Sequence, residues 1–392
     1  MPDFSRRQFL KFGAAFSTVL LAPNGCQSLL ERIAPPASEP ALIPPPQTPT
    51  PLPPMVAPAP APTSAPSPLG SSAPPQPAET RAIKPRPSAP PGGSKLGLHS
   101  VFGPRQNLDV FLARCAQAGT PLALLKCVDD FEPAFKAKAL SDKTLTVGRV
   151  NAVGLNNREF VDMQAWEPPE FAPPAGVSYA DAAEAAEQYY TLVKPIWELN
   201  PVIDVWEAFN EFSWHWGWQA DFYLRLMDLA EADGYRVGLW SCSAGNPPEE
   251  FYPDIARTCA RAKAHGGHIL CLHEYSFDGL LKNAPRSMVL RYRRLYRALQ
   301  AAEAVIPLVI SEAGENGGGG FTGVETFLDD FAWYDAQMSR DDYVIGCAMW
   351  TLGDWNGADF QAALPALADY ITGRSLPPRV FLPLARSADE QP

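Results

Sequence analysis

The chain has 392 residues, with 43 acidic against 32 basic side chains and a formal net charge of −11. That balance argues against a nucleic-acid partner, which would need a basic face. Composition is also uneven: residues 35–91 hold 22 of the 43 prolines, and all ten tryptophans lie beyond them. The globular part is therefore residues 95–376, long enough for one sizeable core.

The first segment is Ser5-Arg6-Arg7-Gln8-Phe9-Leu10-Lys11, followed by an apolar run from Phe12 to Ala22. It resembles a twin-arginine export signal, and the run is too short for a comfortable membrane span. The resemblance implies the twin-arginine export machinery as a partner and an extracytoplasmic destination, secreted or tethered to the outer face of the cell membrane. Residues 1–34 thus form a signal or anchor region. Cys26 follows Gly25, as a lipidated cysteine would, whereas Pro23 and Asn24 depart from that pattern. A lipid anchor in the membrane, simple signal cleavage and a retained, uncleaved anchor all stay open.

Residues 35–94 are rich in Pro, Ala, Ser and Thr. They cannot bury enough apolar surface to offset their ordering entropy, so a disordered, extended linker is expected. Beyond it, short apolar runs at 96–99, 122–127, 144–150, 202–209, 236–241, 268–273, 308–311 and 344–350 alternate with amphipathic stretches. The helix-like stretches include 107–118, 179–198, 219–233, 249–265, 288–304 and 324–337, with apolar residues at i, i+3, i+4 spacing. This alternation predicts an α/β fold, a (β/α)8 TIM barrel over 95–376 with a loosely packed tail over 377–392. A doubly wound sheet would carry a glycine-rich turn after its first strand; here the chain reads Ser100-Val101-Phe102-Gly103. Most of the cysteines beyond the linker sit in or beside apolar runs, where they act as small hydrophobes, and no C-x-x-C pair points to zinc.

Two of the strand-like runs end abruptly in glutamate: Val205-Trp206-Glu207-Ala208-Phe209-Asn210-Glu211 and Pro307-Leu308-Val309-Ile310-Ser311-Glu312. A carboxylate at the end of a buried strand is costly to desolvate, so it needs a reason. In a barrel those strand ends form the rim where active sites are built. Two glutamates facing each other there are the equipment for cleaving a glycosidic bond. The strand-four segment ending Asn210-Glu211 and the strand-seven glutamate resemble the signature of glycoside hydrolase clan A. That resemblance covers residues 95–376 and implies a retaining enzyme, with Glu312 as nucleophile and Glu211 as general acid/base.

The same resemblance extends to further positions. Asn210 matches the asparagine that binds the sugar 2-hydroxyl, and His273-Glu274-Tyr275 matches a His-x-Tyr element whose tyrosine donates to the nucleophile. Trp350 matches the tryptophan beneath the cleaved sugar. Lys126 departs from the arginine often found near the end of strand two, which leaves the family within the clan undetermined. Arg149 and His99 are further candidates for contacts to nucleophile or sugar.

The loop Phe212-Ser213-Trp214-His215-Trp216-Gly217-Trp218 offers flat indoles on which pyranose faces can stack, so Trp214 and Trp216 are candidate platforms. Packing over the barrel is the alternative, and Trp355 is a weaker candidate of the same kind. Glu315-Asn316-Gly317-Gly318-Gly319-Gly320 lacks the Lys-Ser/Thr of a phosphate loop and is expected to form a mobile rim loop. His265 and His268 lack a third ligand, so no metal is expected, and no cofactor. The expectation is an exported retaining glycoside hydrolase acting on an oligo- or polysaccharide. A tethered, non-catalytic carbohydrate-binding barrel and a transglycosylase using the same residues are the alternatives.

Overall fold

The structure, a computed structural model, describes residues 93–153, 159–160, 163–164, 181–213, 215–353 and 357–373. The export segment with Cys26, the linker up to residue 92, Trp214, Trp355 and the tail over 377–392 lie outside the described residues.

Eight parallel strands close into a barrel: β1 (Leu96–Ser100), β2 (Leu124–Val128), β3 (Leu145–Arg149), β4 (Val205–Glu207), β5 (Val237–Cys242), β6 (Ile269–Tyr275), β7 (Leu308–Gly314) and β8 (Val344–Leu352). Each pairs with its neighbours in sequence, and β8 returns to β1. The helices are α1 (Leu108–Gln117), α2 (Glu132–Leu140), α3 (Ala182–Leu199), α4 (Trp216–Ala232), α5 (Tyr252–His265), α6 (Tyr292–Ala301), α7 (Val324–Met338) and α8 (Leu364–Ile371). This is the (β/α)8 barrel that the alternation predicts.

The strands are buried on both faces, which is why they read as near-continuous apolar runs. Within each, the two-residue period decides which side chain goes where. Leu124, Val147, Val205, Ile269, Cys271 and Val309 belong to an apolar cluster filling the lumen. Their neighbours Leu125, Trp206, Leu270 and Ile310 point outward into a larger core shared with the helices. There Trp206 stacks on Trp197 of α3, with ring centroids 5.3 Å apart and planes 5° from parallel. Such a pair contributes about 1 kcal/mol beyond the area it buries. α3 starts where Asp181 accepts a hydrogen bond from the Glu184 amide at 2.9 Å, satisfying one of the first-turn donors.

Two details depart from the sequence expectation. The fourth strand, expected over 202–209, joins the barrel only over Val205–Glu207, and Phe209–Asn210 turns to pair with Met163–Gln164. The helical periodicity is faintest in α2, because its buried positions are the small residues Pro133, Ala134 and Ala137. The six cysteines from Cys115 to Cys347 are buried and unpaired, acting as small hydrophobes.

Glu274 on β6 points out of the lumen. Its carboxylate accepts from the amides of Leu290 at 2.7 Å and Tyr292 at 3.1 Å and from the Tyr334 hydroxyl at 2.7 Å. Burial outweighs these bonds and pushes its carboxyl up to about 7. A carboxyl raised from 4.5 in this way adds stability below the lower value and loses it as pH rises through the upper one. Glu274→Gln should therefore flatten a decline worth roughly 3 kcal/mol between pH 5 and pH 8. Denaturant unfolding at both pH values checks this, and identical slopes in the two proteins would contradict it.

Candidate active site

The lumen changes character toward the C-terminal ends of its strands. Continuing the inward positions past the apolar cluster gives His99 on β1, Lys126 on β2, Arg149 on β3, Glu207 on β4, and His273 and Tyr275 on β6. Glu312 on β7 does not follow from simple alternation. Val309 faces the lumen and Ile310 the outer core, so a regular strand would turn residue 312 outward. The pairing of β7 skips at this point: Leu272 pairs with Ile310 but His273 with Glu312, and on the other side Ile310 pairs with Cys347 but Ala313 with Met349. This bulge re-aims Glu312 into the barrel mouth.

Glu312 is only 5% exposed and is surrounded by donors. Lys126 Nζ lies 2.8 Å from Oε1, Arg149 3.2 Å from the same oxygen, and the Tyr275 hydroxyl donates to Oε2 at 2.8 Å. Burial alone would raise the carboxyl, but His273, Lys126 and Arg149 outweigh it and hold it well below the usual carboxylate range. Burial, helped by the Glu312 and Glu211 carboxylates, pushes the Tyr275 phenol well above its ordinary value, so it stays a donor.

Glu211 is different. Its side chain is 36% exposed, and its backbone adopts φ 57°. A left-handed conformation costs a non-glycine residue about 1 kcal/mol. Here it follows the departure of the chain from β4 and is fixed by the Glu211 amide donating to the Ser241 carbonyl at 3.0 Å. His273 Nδ1 lies 3.0 Å from Glu211 Oε1 and 3.4 Å from Glu312 Oε2, bridging the two carboxylates. One oxygen of each carboxylate and a His273 ring nitrogen all lie within 4.8 Å of one another. These three groups could in principle ligate a cation, but Lys126 and Arg149 already neutralise the Glu312 carboxylate a metal would need.

The remaining candidates fall into two groups. Asn210 joins the site: its Oδ1 accepts from Arg149, which orients the amide so that its NH2 is the donor left for a ligand. Trp350 is half-buried, with its Nε1 donating to the Gly318 carbonyl at 3.1 Å. His99, expected to reach a sugar, is fully buried beside Trp350, with ring centroids 4.4 Å apart. Its Nδ1 meets Thr351 Oγ1 at 2.8 Å and its Nε2 lies 3.6 Å from Glu312. Burial holds it well below the usual imidazole range, so it stands there as a neutral ring.

Two further expectations are corrected. Trp216 is no platform: it opens α4, is 4% exposed, and packs against Trp240 and Phe251 at 5.9 and 5.5 Å. The segment after Glu312 is not a loose loop, since Glu315 and Gly318 are buried and the Gly317 amide donates to the Ser276 carbonyl at 2.6 Å. Gly318 has φ 81°, and a Cβ there would lie 3.2 Å from both Trp350 Nε1 and Tyr275 Cε1. Only glycine permits that approach, so this turn props up two site aromatics. His268 is structural, bonded to Glu231 at 2.7 Å and to the Val237 amide at 2.9 Å.

Sequence reading passed over Lys126 and Glu207 as site residues. Lys126 Nζ lies 2.7 Å from Glu207 Oε2, and both side chains are fully buried. The signal was a lysine and a glutamate at inward positions of otherwise apolar strands. Phe102 and Phe277, on the loops after β1 and β6, are exposed aromatics at this end of the barrel that were likewise not singled out.

No protein-family model and no curated protein sequence matches the chain. Among solved structures it is similar to a glycoside hydrolase family 5 enzyme from Prevotella bryantii B14, at 12% identity over 74% of this chain and 99% of that one, with a TM-score of 0.44. It is also similar to an endo-β-1,4-mannanase from Thermotoga petrophila, at 12% identity over 73% and 78% of the two chains and a TM-score of 0.43. A β-mannanase from Streptomyces thermolilacinus gives 14% identity over 68% and 84%, with a TM-score of 0.37. A likeness at this level leaves function to be argued from the site.

Among the described residues, Lys126 alone places an ammonium between the two buried carboxylates Glu207 and Glu312. Lys126→Met should destabilise the protein by about 3–5 kcal/mol, because it leaves both carboxylates short of their counter-ion. Equilibrium unfolding at neutral pH measures this, and a loss below about 1 kcal/mol would contradict the ion-pair geometry.

Proposed function

We propose that this chain is an exported retaining glycoside hydrolase that cleaves β-glycosidic bonds of an oligo- or polysaccharide. The observation that carries the reading is the pair Glu211 and Glu312. They stand at the ends of facing segments with oxygens within 4.8 Å, one buried and held as an anion, the other open to the cleft. Retaining enzymes hold their carboxyl groups roughly 5–5.5 Å apart, and inverting enzymes leave room for a water at roughly 6.5–9.5 Å.

In the first step Glu312 attacks the anomeric carbon while Glu211 gives its proton to the departing glycosidic oxygen, leaving a glycosyl ester on Glu312. Glu211, now a carboxylate, then takes a proton from water as that water attacks the same carbon and frees Glu312. Tyr275, Lys126 and Arg149 keep Glu312 ionised and aimed before the attack. Asn210 is oriented to donate toward the sugar 2-hydroxyl, and Trp350 lines the floor beside it. A pure carbohydrate binder has no use for a buried anion paired with an open acid.

Export rests on Ser5–Lys11, and the proline-rich segment suits a catalytic domain held away from a surface, by Cys26 lipidation where the anchor is made.

Reducing-sugar release from a panel of glucans, mannans and xylans tests the activity. Glu312→Ala should remove it while the protein stays folded; release undiminished in that variant, or tight binding to a polymer with no release by the wild type, would overturn the assignment. Glu211→Ala should be partly rescued by azide on substrates with good leaving groups, giving a β-azide product, and an α-azide would refute retention. Replacing both Arg6 and Arg7 by lysine should leave the protein in the cytoplasm, which fractionation reads directly; normal export would refute the twin-arginine route.

A further inference from the structure

We propose that Glu207 is a positioning residue for the nucleophile: from beneath the cleft it fixes the Lys126 ammonium beside Glu312 and balances its charge when Glu312 becomes an ester. The kinetic consequence rests on the glycosidase reading; the charge sharing itself does not.

The geometry is that of a shared cation. Lys126 Nζ lies 2.7 Å from Glu207 Oε2 and 2.8 Å from Glu312 Oε1, with Lys126 and Glu207 fully buried and Glu312 nearly so. Glu207 cannot touch substrate, so any role it has runs through Lys126. The fold makes room for it at Gly238, its pairing partner on β5, where a Cβ would lie 3.0 Å from Glu207 Cγ and 2.7 Å from Cys271 Sγ. The lumen below is filled by apolar side chains, so an apolar residue at 207 would be the simpler packing solution. Buried ion pairs seldom stabilise a protein more than the apolar groups that could replace them.

Charge counting supplies the reason. The titratable groups around this cluster include His99 from β1, Lys126 from β2, Arg149 from β3, Tyr223 from α4, Cys271, His273 and Tyr275 from β6, and Glu312 from β7. With Glu312 ionised, the Lys126 ammonium stands between two carboxylates. When Glu312 attacks and becomes an ester, its charge disappears. Without Glu207, Lys126 would then be a lone buried cation, and that penalty would be felt in the transition state of the first step. With Glu207, Lys126 stays paired throughout. Glu207→Gln should therefore slow formation of the glycosyl-enzyme and spare its hydrolysis, which restores the Glu312 anion. A merely structural role would slow both steps alike.

The test is a double-mutant cycle on the full chain with Glu207→Gln and Glu312→Gln, the latter imitating the uncharged ester. Either anion alone keeps Lys126 paired, so each single variant should fold with a modest shift in Tm. The double variant should lose roughly 5 °C or more beyond the sum of the two, or fail to fold. Additive shifts, or a Glu207→Gln protein that fails to fold where Glu312→Gln folds, would overturn the proposal. On a dinitrophenyl β-glycoside that the wild type turns over, Glu207→Gln should cut the burst rate about tenfold or more and leave the steady deglycosylation rate within about twofold. Equal losses in both would also overturn it. If the wild type turns over no glycoside, the glycosidase reading falls and the stability cycle alone decides whether Lys126 is shared.

Discussion

An ionised carboxylate in the mouth of a closed barrel is the constraint on which the site depends. Glu312 is nearly shut off from water, and its burial alone would favour the neutral acid. It remains an anion because three strands of the barrel turn groups toward it: Lys126 from β2, Arg149 from β3, and His273 and Tyr275 from β6. The strands deliver these groups because their register is locked by an apolar lumen below and an apolar helix-facing core outside. The apolar packing is thus what holds the polar layer in place. Glu211 escapes that layer because the chain leaves the barrel after Glu207, turns through Phe209–Asn210 and enters a left-handed conformation. The two carboxylates, equal in chemistry, end up in unequal surroundings, which is what separate acid and nucleophile roles require.

Much of this was legible in the sequence, and for physical reasons. Strands covered on both faces must be apolar almost throughout, so eight such runs stand out, and charged residues at their ends stand out further. Glu211 and Glu312 stood out in this way, while Asn210, His273 and Tyr275 were singled out only through the resemblance of their segments to a known signature. Other features were hidden because they arise between distant segments. Nothing local to Pro307–Gly314 announces a bulge at residues 310–312, since register skips depend on the two neighbouring strands. The Lys126–Glu207 pair joins strands 81 positions apart in the chain, and each residue alone reads as an oddity in an apolar run. Trp216 misled because a tryptophan in a polar, aromatic loop looks solvent-facing until the first turn of α4 is known to carry it inward. The glycine-rich run over 315–320 misled in the opposite sense. Glycine there permits close packing of a turn under Trp350 and Tyr275, a use that composition does not distinguish from looseness.

The barrel by itself says nothing about chemistry, since this architecture supports many reactions. The functional reading stands on a pair of carboxylates that differ in exposure, in hydrogen-bond partners and in the charges around them. The layer beneath that pair deepens it. A cation shared between a reacting anion and a silent one, Glu207, lets the reacting group lose its charge without stranding its partner.

The most direct measurement is mass spectrometry of the protein after incubation with a set of 2-deoxy-2-fluoro β-glycosides carrying good leaving groups, followed by peptide mapping. The account predicts one covalent sugar per chain, on the peptide containing Glu312. A sugar on the peptide containing Glu211, or no adduct from any glycoside while polysaccharide is being hydrolysed, would contradict it.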